Sequence, residues 1–230
     1  MSMSLGNTKS ILERKEIAEG DIPLSARAYN LVIGAMLLWG FLVNYLMVRY
    51  LSTPILNMTM KMNPFVFIGI YLLMIFGGSA LIKAKGPLLS FVGYNLIVAP
   101  LGVVVVLALQ GVGNDVIMQA LTITGAVTVA MMAAATVNPG FFLKLGRVLF
   151  FSLLILIVGG LVTTFILKVN TTIFTWLGAG IFTLYIGYDW ARANQAQKTL
   201  NNAIDIASAL FLDIINLFLR IVELLGKKRD

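Results

Sequence analysis

Residues 203–225, AIDIASALFLDIINLFLRIVELL, are the stretch on which the fold turns. A helix rises about 1.5 Å per residue, so these residues reach across the hydrocarbon core of a bilayer, about 30 Å thick. Most positions are apolar, yet Asp213 stands in the middle, and the charged or amide residues nearest it are Asp205 and Asn216. The preceding apolar stretch, LGAGIFTLYIGYDW at 177–190, also closes on an aspartate, Asp189. An ionisable side chain within a membrane span is costly and by default marks a functional position with a partner nearby. Here each aspartate is a candidate partner for the other.

The rest of the chain supports a membrane reading. Of its 230 residues 59% are hydrophobic and 12% charged, half the charge of an ordinary soluble domain, with a mean hydropathy of +0.93. Seven stretches are long and apolar enough, or nearly so, to cross a bilayer: 30–50, 64–82, 88–110, 114–136, 146–167, 172–190 and 203–225. Punctuation separates them, as at Asn63-Pro64, Gly86-Pro87, Gly111 to Asn114 and Asn138-Pro139-Gly140. The polar run from Ala191 to Asn202 joins the last two. The pattern predicts an all-α membrane protein, a bundle of seven transmembrane helices spanning 29–226. A polar segment, 1–28, precedes it, and a basic tail, 227–230, follows. The polar segment lacks the apolar core and cleavage site of a signal peptide and reads as cytoplasmic.

Lysines and arginines set orientation. Ten fall on the N-terminal side (Lys9, Arg14, Lys15, Arg27, Lys83, Lys85, Lys144, Arg147, Arg192, Lys198) and seven on the other. The balance favours a cytoplasmic N-terminus. The net charge of +7 is therefore read as loop cations, and no basic cluster interleaved with stacking aromatics suggests nucleic acid. Without cysteine or histidine the chain lacks thiolate metal sites, thiol nucleophiles and the ordinary neutral-pH switch. Any pH response falls to carboxylates, and the chain is not read as an enzyme. Intramembrane aspartyl proteolysis also uses two aspartates, but Phe211-Leu212-Asp213-Ile214 lacks the flanking glycine such a site requires.

If the last two spans fold back about Asn201, Asp189 and Asp213 are each twelve residues from the turn and lie at one depth. Two carboxylates in contact at low dielectric share a proton, which gives a histidine-free protein a proton switch. Arg220, Asn216 and Asp205 extend a polar stripe along the last helix, whereas Arg220 and Glu223 also suit interfacial anchors. The plainer readings are a juxtamembrane Asp189 and a structurally paired Asp213. Gly77-Gly78, Gly159-Gly160 and the series Gly178, Gly180 and Gly187 suit close helix contacts.

The runs Leu184-Tyr185-Ile186-Gly187-Tyr188-Asp189 and Ala203 to Phe218 closely resemble the transmembrane Bax inhibitor motif family, the Bax inhibitor-1 group with its bacterial YetJ-like and YccA-like members. The resemblance implies a bundle of six helices around a central, most hydrophobic seventh, in a bacterial inner membrane. It also implies a calcium leak governed by protonation of an aspartate pair, which falls on Asp189 and Asp213. These two would hold Ca²⁺ transiently, and no resident cofactor is implied. A basic latch at the end of the second helix would fall on Lys85 or Lys83. The acidic residue that some relatives carry in that helix has no counterpart from Phe65 to Ile82. Two other classes remain open: a proton-coupled transporter of a small solute, and a non-transporting regulator that docks on other membrane proteins such as a membrane protease.

Overall fold

A computed structural model describes residues 21–83, 86–163 and 172–226. Most of the polar N-terminal segment, the whole basic tail, Lys85, and the end of the fifth expected span lie outside the described residues. Nine helices are present among the described residues: α1 Ala26–Tyr50, α2 Ser52–Met60, α3 Pro64–Lys83, α4 Pro87–Ala108, α5 Asn114–Val137, α6 Pro139–Lys144, α7 Gly146–Leu161, α8 Thr172–Gln195 and α9 Leu200–Gly226. Helix starts follow local chemistry. The Ser25 hydroxyl accepts from the Ala28 N–H, the Asn138 side chain accepts from the Phe141 N–H, and Pro64, Pro87 and Pro139 each open a helix. Before Pro87 stands Gly86 at φ +146°, a conformation that side chains resist.

Two short helices, α2 and α6, occupy stretches that the sequence pattern leaves as connections. The break between α1 and α2 falls at Leu51, just ahead of Pro54, whose ring and missing N–H oppose a continuous helix. The polar run expected to join the last two spans is also mostly helical. α8 continues to Gln195 and α9 begins at Leu200, leaving a four-residue turn. Alanine, arginine and glutamine sustain helix well, and the Asn202 amide closes the turn on the Gln197 carbonyl at 2.9 Å.

Outward faces carry large apolar side chains, among them Leu31, Leu38, Phe65, Phe76, Phe150 and Ile155. Only lipid satisfies such a surface, and helices meet the bilayer's demand that backbone polar groups be paired internally. By length and composition α1, α3, α4 and α5 are able to cross a membrane, and α7 is a shorter apolar helix. α8 and α9 fall outside that set; among its apolar residues α9 alone carries Asp205, Asp213, Arg220 and Glu223. Asp213 is buried against protein and the other three are half-buried. α9 packs on α1, α3, α4, α5 and α8 and is buried on all but one narrow face. It is therefore the most enclosed of these helices without being the most apolar.

The packing is close where glycine allows. A Cβ on Gly78 would lie 2.5 Å from the Gly93 carbonyl oxygen, and the reverse holds for Gly93, so α3 and α4 touch through their backbones. Gly40 admits Phe211 and Tyr94, whose rings meet at 5.9 Å, while the Tyr94 hydroxyl donates to the Met36 carbonyl at 2.6 Å. At the hairpin turn, residues 21–24 run antiparallel to 198–200: Leu24 N–H donates to Lys198 O at 2.7 Å and Leu200 N–H to Ile22 O at 2.9 Å. The Asp21 carboxylate accepts from the Asn201 N–H at 3.1 Å, and Ser90 donates to the Asn201 side chain at 3.0 Å. The start of α1, the start of α4 and the hairpin turn thus share one end of the bundle.

Candidate functional site

α8 and α9 form an antiparallel pair with polar contacts at successive depths. Nearest the turn, Arg192 faces Asp205; next, Asp189 meets Asp213; deeper, Arg220 lies over Gly178; and at the far end Thr175 meets Glu223. This register places Asp189 and Asp213 together, both only 4% exposed. Their carboxyls are within hydrogen-bonding reach of each other, and Asp213 Oδ2 finds no donor among the described residues. Ionised carboxylates only accept, so this contact is favourable when one proton lies between the two.

The other side of Asp189 is held by Arg192. The two are three residues apart on α8, hence neighbours on one face, and their side chains meet at 2.5 Å. The same guanidinium reaches Asp205 of α9 at 3.8 Å. Aromatic groups enclose the cluster. Tyr185 lies near both aspartates, the Tyr188 ring is 5.7 Å from the guanidinium carbon, and α1 supplies Tyr29, fully buried near Asp205 and Arg192, its hydroxyl with no hydrogen-bond partner among the described residues. Above Tyr29, at 4.6 Å from its ring, sits the Lys198 ammonium, which also caps α8 through the Ala193 and Asn194 carbonyls at 2.7 and 3.0 Å. Partial burial holds the Lys198 pKa below its ordinary value.

The remaining residues singled out in the sequence are distributed along α9. From Asp205 to Glu223 its half-buried positions form one stripe: Asp205, Ala209, Leu212, Asn216, Leu219, Arg220 and Glu223. Asp213 stands beside this stripe, turned into α8. The Asn216 amide bonds to the Leu212 carbonyl of its own helix at 2.8 Å. Arg220 pairs with Glu223 at 3.5 Å, and the buried Thr175 hydroxyl donates to Glu223 at 2.7 Å.

Of the two latch candidates, Lys83 is exposed at the end of α3 and makes no ion pair among the described residues, while Lys85 lies outside them. Among the described residues the cation that contacts the pair is Arg192, which the sequence reading counted only toward orientation. Its signal was present as the one-turn spacing from Asp189. Tyr29 and Tyr185 gave no comparable signal, because buried tyrosines are common in apolar spans. Among the described residues no three acidic side chains form a ready metal cage.

These features define a multi-pass, all-α membrane protein with an acidic cluster enclosed between its last two helices. The chain belongs to the Bax inhibitor-1 family: the model of the family described as "Inhibitor of apoptosis-promoting Bax1" matches residues 24–230. Two uncharacterized proteins of Helicobacter pylori are similar over 125 residues, or 53% of this chain. The protein from strain ATCC 700392 / 26695 is 31% identical and that from strain J99 / ATCC 700824 is 30% identical. The match covers 51% of each, so the chain spans about half the length of the curated relatives it matches.

Proposed function

We propose that this protein is a pH-sensitive, calcium-permeable leak channel or slow transporter, crossing a bacterial inner membrane seven times with its N-terminus cytoplasmic. In this reading α9 is the central helix of the bundle and the Asp189–Asp213 pair is its gate. The observation that carries the reading is the contact of two enclosed carboxyl groups at one depth of the α8–α9 pair.

The pair shares a proton when closed, and Arg192 neutralises the Asp189 side. As pH rises that proton leaves, and two like charges remain in contact. Unit charges about 4 Å apart repel by about 4 kcal/mol at an effective dielectric of about 20. That is enough to shift a two-state equilibrium about a thousandfold, at about 1.4 kcal/mol per factor of ten. Separation of α8 from α9 relieves the repulsion and exposes carboxylate oxygens to a divalent cation. Calcium prefers 6–8 oxygen ligands, so two aspartates hold it loosely, as permeation requires. The stripe of Asp205, Asn216 and Arg220 supplies the polar wall along which the ion passes.

The test is calcium flux into proteoliposomes from about pH 6 to about pH 8, the range in which a shared carboxyl proton replaces histidine as a switch. Flux that rises with pH in the wild type and loses that dependence in Asp189→Asn and Asp213→Asn is the expected result. Saturable, solute-stimulated proton flux would favour the transporter class instead. A second reading, a regulator of other membrane proteins, draws on the grip of residues 21–24 on the hairpin turn, which couples the N-terminal segment to the site. Absence of flux above empty vesicles at every pH would favour it.

A further inference from the structure

We infer that Arg192 is the resident cation of a divalent-cation site: its guanidinium occupies, as a tethered competitor, the Asp189 side of the Asp189–Asp213 pair, which a permeating ion must take. The inference rests on the calcium reading of the cluster and adds the residue that regulates it.

Three observations meet here. Two carboxylates on different helices converge on one guanidinium, at 2.5 Å from Asp189 and 3.8 Å from Asp205. A third carboxyl, Asp213, touches Asp189 and keeps one buried oxygen unpartnered. Among the described residues no three acidic side chains are arranged to hold a metal ion as the cluster stands. Oxygen-only, anionic surroundings suit a hard divalent cation, and an arginine among them does the same electrostatic work with a single charge.

The tether sets the competition. Arg192 is three residues from Asp189 on the same helix, so its local concentration at the site is in the millimolar range or above. Sites with few protein ligands bind calcium at about 10⁻⁴–10⁻³ M, a strength such a competitor masks. The two contacts are also unequal. Asp205 lies on the half-exposed stripe and holds the more distant nitrogen, so it is the carboxylate onto which Arg192 swings when an ion claims Asp189. Arg192 is thus a positioning residue, with Asp205 as its parking place.

The experiment uses the full chain in nanodiscs of phosphatidylcholine and terbium as the probe, read through luminescence sensitised by Tyr185 and Tyr188 beside the carboxylates. Arg192→Gln should bind terbium about tenfold or more tightly than wild type, since a millimolar competitor has been removed. Calcium should displace the terbium, and Asp189→Asn added to Arg192→Gln should abolish the gain. In the arginine-containing chain, Asp205→Asn should weaken terbium binding several-fold, because Arg192 then has only Asp189 to hold. This second variant keeps the idea testable if Arg192→Gln does not fold. Equal affinity in wild type and Arg192→Gln, or no effect of Asp205→Asn, would overturn the inference. Tightened binding without calcium flux in any variant would support the resident cation and sink the channel reading. Flux with unchanged terbium affinity would do the reverse.

Discussion

The two ends of the α8–α9 pair are built from the same materials in different proportions. Toward the turn, these helices place one arginine among three aspartates: Arg192 with Asp189, Asp205 and Asp213. At the far end they place one arginine beside one glutamate, with Thr175 as an extra donor to Glu223. The far group matches its cation one for one, and its Arg220 and Glu223 side chains are each 33% exposed. The near group has more carboxylates than its arginine can neutralise, and in the proposed reading a shared proton makes up part of the difference. Excess acid in an enclosed site, more than the mere presence of charge in a span, is what leads us to propose that one end responds to pH.

The largest effect expected from this difference is on stability at the near end. Breaking a buried ion pair from one side costs about 3–5 kcal/mol, and Arg192 is still 21% exposed, so Arg192→Ala should cost about 3 kcal/mol. Thermal unfolding in detergent would measure it, and Asp189→Asn in the same chain should restore part of the loss. At the far end the cost is smaller. Glu223→Gln keeps an acceptor for Thr175 and loses one partly exposed pair, about 1 kcal/mol or less, with the pH profile of flux unchanged. A cost as large as that of Arg192→Ala would erase the distinction between the ends. Smallest is Lys198→Met at the turn. It keeps an unbranched side chain over Tyr29 but removes the cap on the Ala193 and Asn194 carbonyls, for about 0.5–1 kcal/mol.

Parts of this arrangement were legible in the residues alone, and the rest depended on tertiary contact. The equal spacing of Asp189 and Asp213 from Asn201 already placed them at one depth, because helical rise is fixed and the hairpin is antiparallel. The membrane class followed from long apolar runs. Which way each helix faces was harder to read. α9 is enclosed on nearly every side despite its charges, since burial against α1, α4, α5 and α8 tolerates polar groups that lipid would not. Arg192 was overlooked for a related reason: a cation near a helix end reads as a topology signal until its partner on the facing helix is known. Residues 191–202 misled because polar composition suggests a loop, whereas their neighbours and caps keep most of them helical. The glycines divide in the same way. Gly78 and Gly178 face close neighbours, while Gly77 and Gly180 meet open space, and composition cannot tell one of a pair from the other.

The most direct test of the central claim compares the two ends in one assay. Calcium flux against pH is measured for wild type, Asp213→Asn and Glu223→Gln in matched proteoliposomes. Asp213→Asn is expected to lose its pH dependence while Glu223→Gln keeps the wild-type profile. Loss of the profile in Glu223→Gln, or its survival in Asp213→Asn, would contradict the assignment of the proton switch to the near end.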